Sequence, residues 1–75
     1  MKGKILTAIE RMAVEELRDR VRDKDTYMKL SVLILLDMGK GYKEIAMILG
    51  IGKGTITNCR GKFEGDGLAK YLDKN

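Results

Sequence analysis

The sequence predicts an all-α fold, a small bundle of three to five helices that forms a single domain over residues 1–75. Apolar residues recur at intervals of three and four along several segments, which is the period of an amphipathic helix. The chain has no Pro, and most of its nine Gly residues stand between those segments, where helices are expected to end. A length of 75 residues is enough for one domain only.

Residues 1–25 are predicted to form an N-terminal amphipathic helix. Charged residues such as Glu10 and Arg18 occupy its other faces. Its apolar side is formed by residues at helical spacing, with Ile5 and Met12 beside them: Leu6, Ile9, Ala13, Leu17 and Val21. We expect this side to face inward or to serve as an interface.

Residues 26–39 are predicted to form the core helix. Asp25 or Thr26 can cap its N-terminus through a side-chain oxygen, and Gly39 ends it. Apolar residues, Met38 among them, cover nearly every side of this helix, so it needs neighbours on more than one face. A short buried strand is the alternative for residues 32–36, but the flanking cap, the Gly and the length of the segment favour a helix.

The next predicted helix is short and runs from Tyr42 to Leu49. Ile45, Ile48 and Leu49 are expected to face inward, and Gly50 ends the helix at a position suited to positive φ.

A further helix is predicted from Lys53 to about Glu64, with Ile56, Cys59 and Phe63 on one side. Gly65 and Gly67 are then expected to break the chain before a short C-terminal helix within residues 65–75.

Helix, three-residue turn and helix follow one another within YKEIAMILGIGKGTITNCRG, residues 42–61. This arrangement is typical of a helix-turn-helix, whose second helix enters the major groove of DNA. Ala46 stands where the two helices would cross, Gly50 takes the turn, and apolar residues occupy the positions that the pair must bury. A helical hairpin without a nucleic-acid role is the alternative, because it can carry Ala and Gly at similar places.

The run LLDMGKGYKEIAMILGIGKGTITNCRGKFEGDGLAKYLD resembles the homeodomain-like helix-turn-helix of mariner-related bacterial insertion-sequence transposases. The resemblance covers about residues 30–73, and the same core is similar to that of many small bacterial and phage regulators. It implies that residues 53–64 form a DNA-recognition helix. The groove contacts it implies are Lys53, Thr57 and Asn58, and the phosphate contacts are Lys43, Arg60 and Lys62.

A helical wheel at about 100° per residue gives a DNA-facing side from the sequence alone. The side opposite the apolar residues is centred on Gly54 and Gly61, with Thr57 and Asn58 beside them and Lys53 and Lys62 on the flanks. The Asn58 amide can pair with the N6 and N7 atoms of adenine, which makes it the strongest candidate for base readout. For each of these polar residues, plain solvent exposure is the alternative.

The chain departs from the family pattern at three glycines. Gly52 replaces a hydroxyl cap, and Gly54 and Gly61 replace longer polar or basic side chains. Interior Gly costs about 0.5–1 kcal/mol relative to Ala, so the recognition helix is expected either to fray without DNA or to approach the groove closely with bare backbone.

Several classes of protein are excluded by composition. With no His and a single Cys59, the chain can assemble neither a four-ligand zinc site nor an internal disulfide. A phosphate-binding loop is excluded because Lys53 is followed by Gly54 rather than by Ser or Thr. We therefore expect no enzymatic activity, no catalytic residues, no metal, no cofactor and no small-molecule substrate.

No apolar run approaches the ~20 residues needed to span a bilayer, and the N-terminus has no secretory signal, so no membrane partner is expected. A cytoplasmic location is predicted, at the nucleoid when the protein is bound to DNA.

The sequence thus predicts a sequence-specific binder of double-stranded DNA, a small transcription regulator. Residues 51–64 carry three basic residues and one acidic residue, and the whole chain has a net charge of +4. One recognition helix reads few base pairs, so a homodimer is expected, with residues 6–21 and 32–36 as candidate interface. The alternatives are the DNA-binding module of an insertion-sequence transposase without its catalytic domain, and a protein-interaction domain that binds no DNA.

Overall fold

A computed structural model describes residues 5–72, without the side chains of Ala69 and Leu72. Residues 1–4 and 73–75, which the predicted domain and its terminal helices included, lie outside the described residues. The described chain forms four helices and no strand: α1 (Ala8–Arg20), α2 (Lys24–Asp37), α3 (Tyr42–Leu49) and α4 (Lys53–Leu72). The prediction of a small all-α bundle is confirmed, and the strand alternative for residues 32–36 is wrong.

Helix α1 is shorter than predicted. It begins after Thr7, whose side chain accepts a hydrogen bond from the Glu10 N–H at 3.1 Å, while the Glu10 carboxylate accepts one from the Thr7 N–H at 3.0 Å. This capping box satisfies two backbone donors that the first turn leaves free. The helix ends at Arg20. Residues 21–23, which were predicted to be helical, are therefore not part of a helix.

The face that α1 packs against the bundle also differs from the prediction. Val14 is fully buried, whereas Ile9 is 80% and Met12 71% exposed. Ala13 and Leu17 are exposed as well. The expected inward stripe therefore lies largely in solvent.

The side chain of Asp37, at the end of α2, contacts the side of α1 that faces the bundle. Its Oδ1 accepts hydrogen bonds from the N–H groups of Ile5 and Leu6 at 2.9 and 2.8 Å, and its Oδ2 accepts one from Arg11 Nη1 at 2.7 Å. The Arg11–Asp37 contact and the burial of Val14 both place the same side of α1 against α2. We call Asp37 and its three donors the Asp37 clasp.

Helix α2 begins two residues before its predicted start, because Asp23 rather than Asp25 or Thr26 is the cap. Asp23 Oδ2 accepts hydrogen bonds from the Thr26 N–H at 3.0 Å and from its hydroxyl at 2.8 Å. The helix ends at Asp37 with Met38 as its C-cap, slightly before the predicted end, and Gly39 follows with a φ of 87°.

Helix α2 is the centre of the bundle, and α1, α3 and α4 all pack against it. This confirms the expectation that it needs neighbours on several faces, although Met38 at its end is exposed. Residues 32–36 lie in the core, with only Leu35 partly exposed, so they cannot form the predicted dimer interface.

Helices α3 and α4 form the predicted pair with a turn at residues 50–52. Gly50 has a φ of 68° and a ψ of 36°, the left-handed conformation expected of it. Ile45 and Ile56 are fully buried between the helices and α2. Ile48 is 55% exposed, contrary to prediction, because the short α3 contacts α2 and α4 along the side of Ile45 and Leu49.

Helix α4 continues through Gly65, where a break was predicted, and is kinked at Gly67, whose φ is 84° and ψ 172°. The last turn then folds back over α2. The Tyr71 hydroxyl donates a hydrogen bond to the Lys29 carbonyl at 2.8 Å, and its ring meets Phe63 edge-on at 6.1 Å. No helix within residues 5–72 is both long and apolar enough to cross a membrane.

Candidate nucleic-acid interface

One side of α4 is buried and the other is open to solvent. Ile56, Cys59 and Phe63 all lie in the core. The residues that the helical wheel placed on the opposite side are all exposed: Lys53, Gly54, Thr57, Asn58, Gly61 and Lys62. The structure thus brings these six residues together on one surface, which we call the α4 outer face; their contact with DNA stays a prediction.

Thr57 and Asn58 lie at the middle of the α4 outer face and differ in which of their side-chain groups are already hydrogen-bonded. The Thr57 hydroxyl donates a hydrogen bond to the Lys53 carbonyl at 3.1 Å, so its methyl group is the part left for an apolar contact. The Asn58 amide makes no hydrogen bond within residues 5–72. Its donor and acceptor are therefore both available to a ligand.

Arg60 lies at the edge of this face that adjoins α3 and is partly buried. Its Nε contacts Glu64 Oε2 at 3.0 Å, and its Nη1 donates a hydrogen bond to the Tyr42 hydroxyl at 3.3 Å. The Tyr42 hydroxyl, followed by the Glu64 carboxylate, raises the pKa of Arg60 above its usual value. A phosphate reaching Arg60 would have to compete with Glu64.

Sequence reasoning missed both partners of Arg60. The spacing of four between Arg60 and Glu64 on one helix was a usable signal for their ion pair. No such signal existed for Tyr42, which is 18 residues away and is brought close only by the turn between α3 and α4.

Lys43 is exposed on the first turn of α3, directly after Tyr42. The N-cap of α3 is Gly41, which supplies no side-chain hydrogen bond, so the first N–H groups of this helix are not capped. A lysine beside free N–H groups at the positive end of a helix suits a phosphate.

A surface pocket of about 390 Å³ borders the other edge of α4. Two residues of the α4 outer face, Asn58 and Lys62, take part in its wall. The full lining is Met28, Lys29, Thr55, Asn58, Cys59, Lys62 and Tyr71. This pocket was not predicted, because it depends on the last helical turn folding back over α2.

Cys59 is a free, buried thiol, and no group of three or more His, Cys, Asp or Glu within the described residues is placed to hold a metal ion. Burial raises the pKa of the Tyr71 hydroxyl, which therefore stays protonated.

The resemblance to transposase and regulator helix-turn-helix domains stays a prediction that rests on the residues of the chain. Comparisons with protein-family models, with curated proteins and with solved structures found no match.

Proposed function

We propose that this protein is a non-enzymatic, sequence-specific binder of double-stranded DNA that acts in the cytoplasm, at the nucleoid, as a small transcription regulator. The single observation that carries this proposal is the α4 outer face. It presents an uncommitted Asn58 amide and the Thr57 methyl group between two lysines, Lys53 and Lys62. Residues 53–63 contain no acidic residue, so nothing on this stretch repels phosphate.

The supporting geometry is that of a helix-turn-helix. Helix α4 follows α3 after a three-residue turn and leaves its outer face free. Lys43 is exposed on the first turn of α3 and Arg60 lies at the edge of the α4 outer face, and we propose that both contact the phosphate backbone. In a helix-turn-helix, the second helix contacts the base edges. Residues beside that helix contact the phosphates, and these contacts position the protein on the duplex.

Selection of binding sites from random duplexes tests the proposal. It should be run at about 150 mM salt, because salt removes much of the non-specific attraction to phosphate. We expect a palindromic consensus with half-sites about one helical turn apart. An asymmetric consensus would instead indicate a transposase module, and enrichment of no sequence would reject DNA recognition in favour of a protein-interaction domain.

Two substitutions separate base readout from phosphate contact. Asn58→Ala should relax the preference at one base pair by ~1–3 kcal/mol and leave the others intact. Lys43→Ala should weaken all sequences alike and reduce the salt dependence by about one phosphate contact.

Arg20→Ala is the matched control, because it removes the same charge from an exposed position on α1, which packs on α2. Equal losses from Arg20→Ala and Lys43→Ala would show that only net charge matters.

We further propose that the protein binds DNA as a homodimer, because one recognition helix covers only a few base pairs. The exposed apolar residues of α1, Ile9, Met12 and Ala13, are the candidate interface that remains after residues 32–36 are placed in the core.

A further inference from the structure

The pocket beside α4 has the size and construction of a small-molecule site. Its volume of about 390 Å³ lies within the ~300–1,000 Å³ range of ligand pockets. It is a surface pocket lined by residues of the N-terminal half of α2, of α4 and of the last helical turn. The hydrogen bond from the Tyr71 hydroxyl to the Lys29 carbonyl fixes that turn against α2.

The interior of the pocket is apolar. Among its lining residues, Cys59 and Tyr71 are buried and Met28 is partly buried. The Tyr71 hydroxyl already donates to the Lys29 carbonyl, so the ring rather than the hydroxyl is what this residue offers to a ligand. Sulfur-bearing side chains adapt readily to apolar groups of different shapes. The interior thus suits the hydrocarbon part of a ligand.

The border of the pocket is cationic. Lys29 and Lys62 both line it; among residues 5–72 no acidic residue lines the pocket, and neither lysine has a carboxylate partner. The Asn58 amide is also uncommitted there. A ligand that places an anionic group between the two lysines and an apolar body inside would satisfy both parts of the pocket.

We propose that this pocket binds a small organic anion with an apolar body. We propose also that the bound anion excludes DNA, because Asn58 and Lys62 belong to both the pocket wall and the α4 outer face. The exclusion rests on the proposed DNA-binding function, whereas occupancy of the pocket does not. The ligand would act as a negative effector by occupying groups that DNA requires.

Titration of the ¹⁵N-labelled protein with three probes tests occupancy. Octanoate has both an anionic group and an apolar body, 1-octanol has the body alone, and acetate has the charge alone. We expect octanoate to give saturable amide shifts centred on Met28, Lys29, Cys59 and Lys62, 1-octanol to bind more weakly, and acetate to give no saturable shift. Equal binding of octanoate and 1-octanol, shifts centred on α1, or saturation by acetate would overturn the proposal.

Single-charge variants locate the anionic group. Because an exposed ion pair contributes little, Lys29→Gln and Lys62→Gln should each weaken octanoate binding by about two- to fivefold. Arg20→Gln removes the same charge from α1 and should leave octanoate binding unchanged. If all three variants have the same effect, the lysines do not hold the anion and the proposal fails.

The exclusion of DNA is tested on the unmodified protein with its selected duplex. Octanoate should lower the affinity for the duplex, and 1-octanol should do so less. Binding of octanoate in the pocket without any effect on the duplex would overturn the exclusion. If no duplex is bound at all, the proposed function fails, while the titration still decides whether the pocket takes an organic anion.

Discussion

Asp37 is a charged residue in the core. Its carboxylate accepts hydrogen bonds from the three donors of the Asp37 clasp, the Ile5 and Leu6 N–H groups and Arg11. Burial by itself raises the pKa of Asp37. The hydrogen bonds from the Leu6 N–H, from Arg11 and from the Ile5 N–H together outweigh that effect and leave the pKa below its usual value. The ionised form is therefore the one that stabilises the fold.

The stability of the protein should fall in acid because of this residue. A carboxyl group whose pKa is lower in the folded than in the unfolded chain stabilises fully above the unfolded value of about 3.9 and loses that contribution as pH falls through the folded value. Asp37→Asn should cost about 1.5–3 kcal/mol at pH 7 in urea unfolding, and its deficit relative to the unmodified protein should shrink below about pH 4. Asp19→Asn, an exposed carboxyl on α1, is the control; a pH-independent deficit for Asp37→Asn would contradict the assignment.

Glu64 limits what Arg60 can do at the border of the α4 outer face. Glu64→Gln should raise the affinity for DNA by up to about fivefold, because it frees the guanidinium that Glu64 holds at 3.0 Å. Asp66→Asn removes the same charge two residues further along and should have a smaller effect. Fluorescence anisotropy at one salt concentration measures the affinity of both variants for DNA. Equal gains would mean that the change in net charge, rather than release of Arg60 from Glu64, raises the affinity.

At the scale of the helix, the α4 outer face carries two exposed glycines that the packing of α4 does not require. A Cβ added at Gly54 or Gly61 would meet nothing within 4 Å, so Gly54→Ala and Gly61→Ala should each stabilise the fold by about 0.5–1 kcal/mol in urea unfolding. Gly67→Ala is the contrasting variant, since a φ of 84° strains any residue with a Cβ, and it should destabilise. Destabilisation by Gly54→Ala would show that the bare backbone is needed for the fold.

The same two variants distinguish the roles that the glycines can have toward DNA. If the Ala variants bind DNA more tightly, α4 of the unmodified protein is frayed without DNA and becomes ordered on binding. Loss of binding despite a more stable fold would indicate that DNA approaches the backbone too closely to tolerate a methyl group.

The elements that were predicted correctly are those fixed by local signals. Helical spacing predicts the limits of α3 and the buried side of α4. The turn is predicted by Gly50, which adopts a left-handed conformation that other residues avoid. Gly65 was misjudged because a helix tolerates Gly at a modest cost, and only Gly67 takes a positive φ.

Two of the features that were missed depend on contacts between distant residues. The rotation of α1 is set by Asp37, more than 30 positions from Ile5 and Leu6. The pocket is closed by Tyr71, which lies 42 residues from Lys29. Helical periodicity identifies an apolar stripe, but the side of α1 that faces α2 is the one that carries Arg11, bonded to Asp37, and the buried Val14.

At the scale of the whole molecule, the exposed apolar residues of α1 predict self-association. A small core benefits from a partner subunit, and Ile9 and Met12 are the most exposed large apolar residues of that helix. We expect sedimentation equilibrium to show a monomer–dimer equilibrium that Met12→Glu shifts to monomer without changing the helical circular dichroism. Met47→Glu, at a similarly exposed position on α3, is the control. A monomer at all concentrations would contradict the homodimer.

The central position of α2 makes the stability of the molecule uneven. Helix α1 packs mainly on α2 and is held there by the Asp37 clasp, whereas α2, α3 and α4 pack on one another. Regions with fewer tertiary contacts open locally at a lower free energy than the global unfolding. We therefore expect α1 to be a separable cooperative unit, whose amide hydrogens exchange with solvent through an opening that leaves the other three helices folded. Those of the buried half of α2 are expected to exchange only when the entire chain unfolds, and native-state hydrogen exchange would measure the difference.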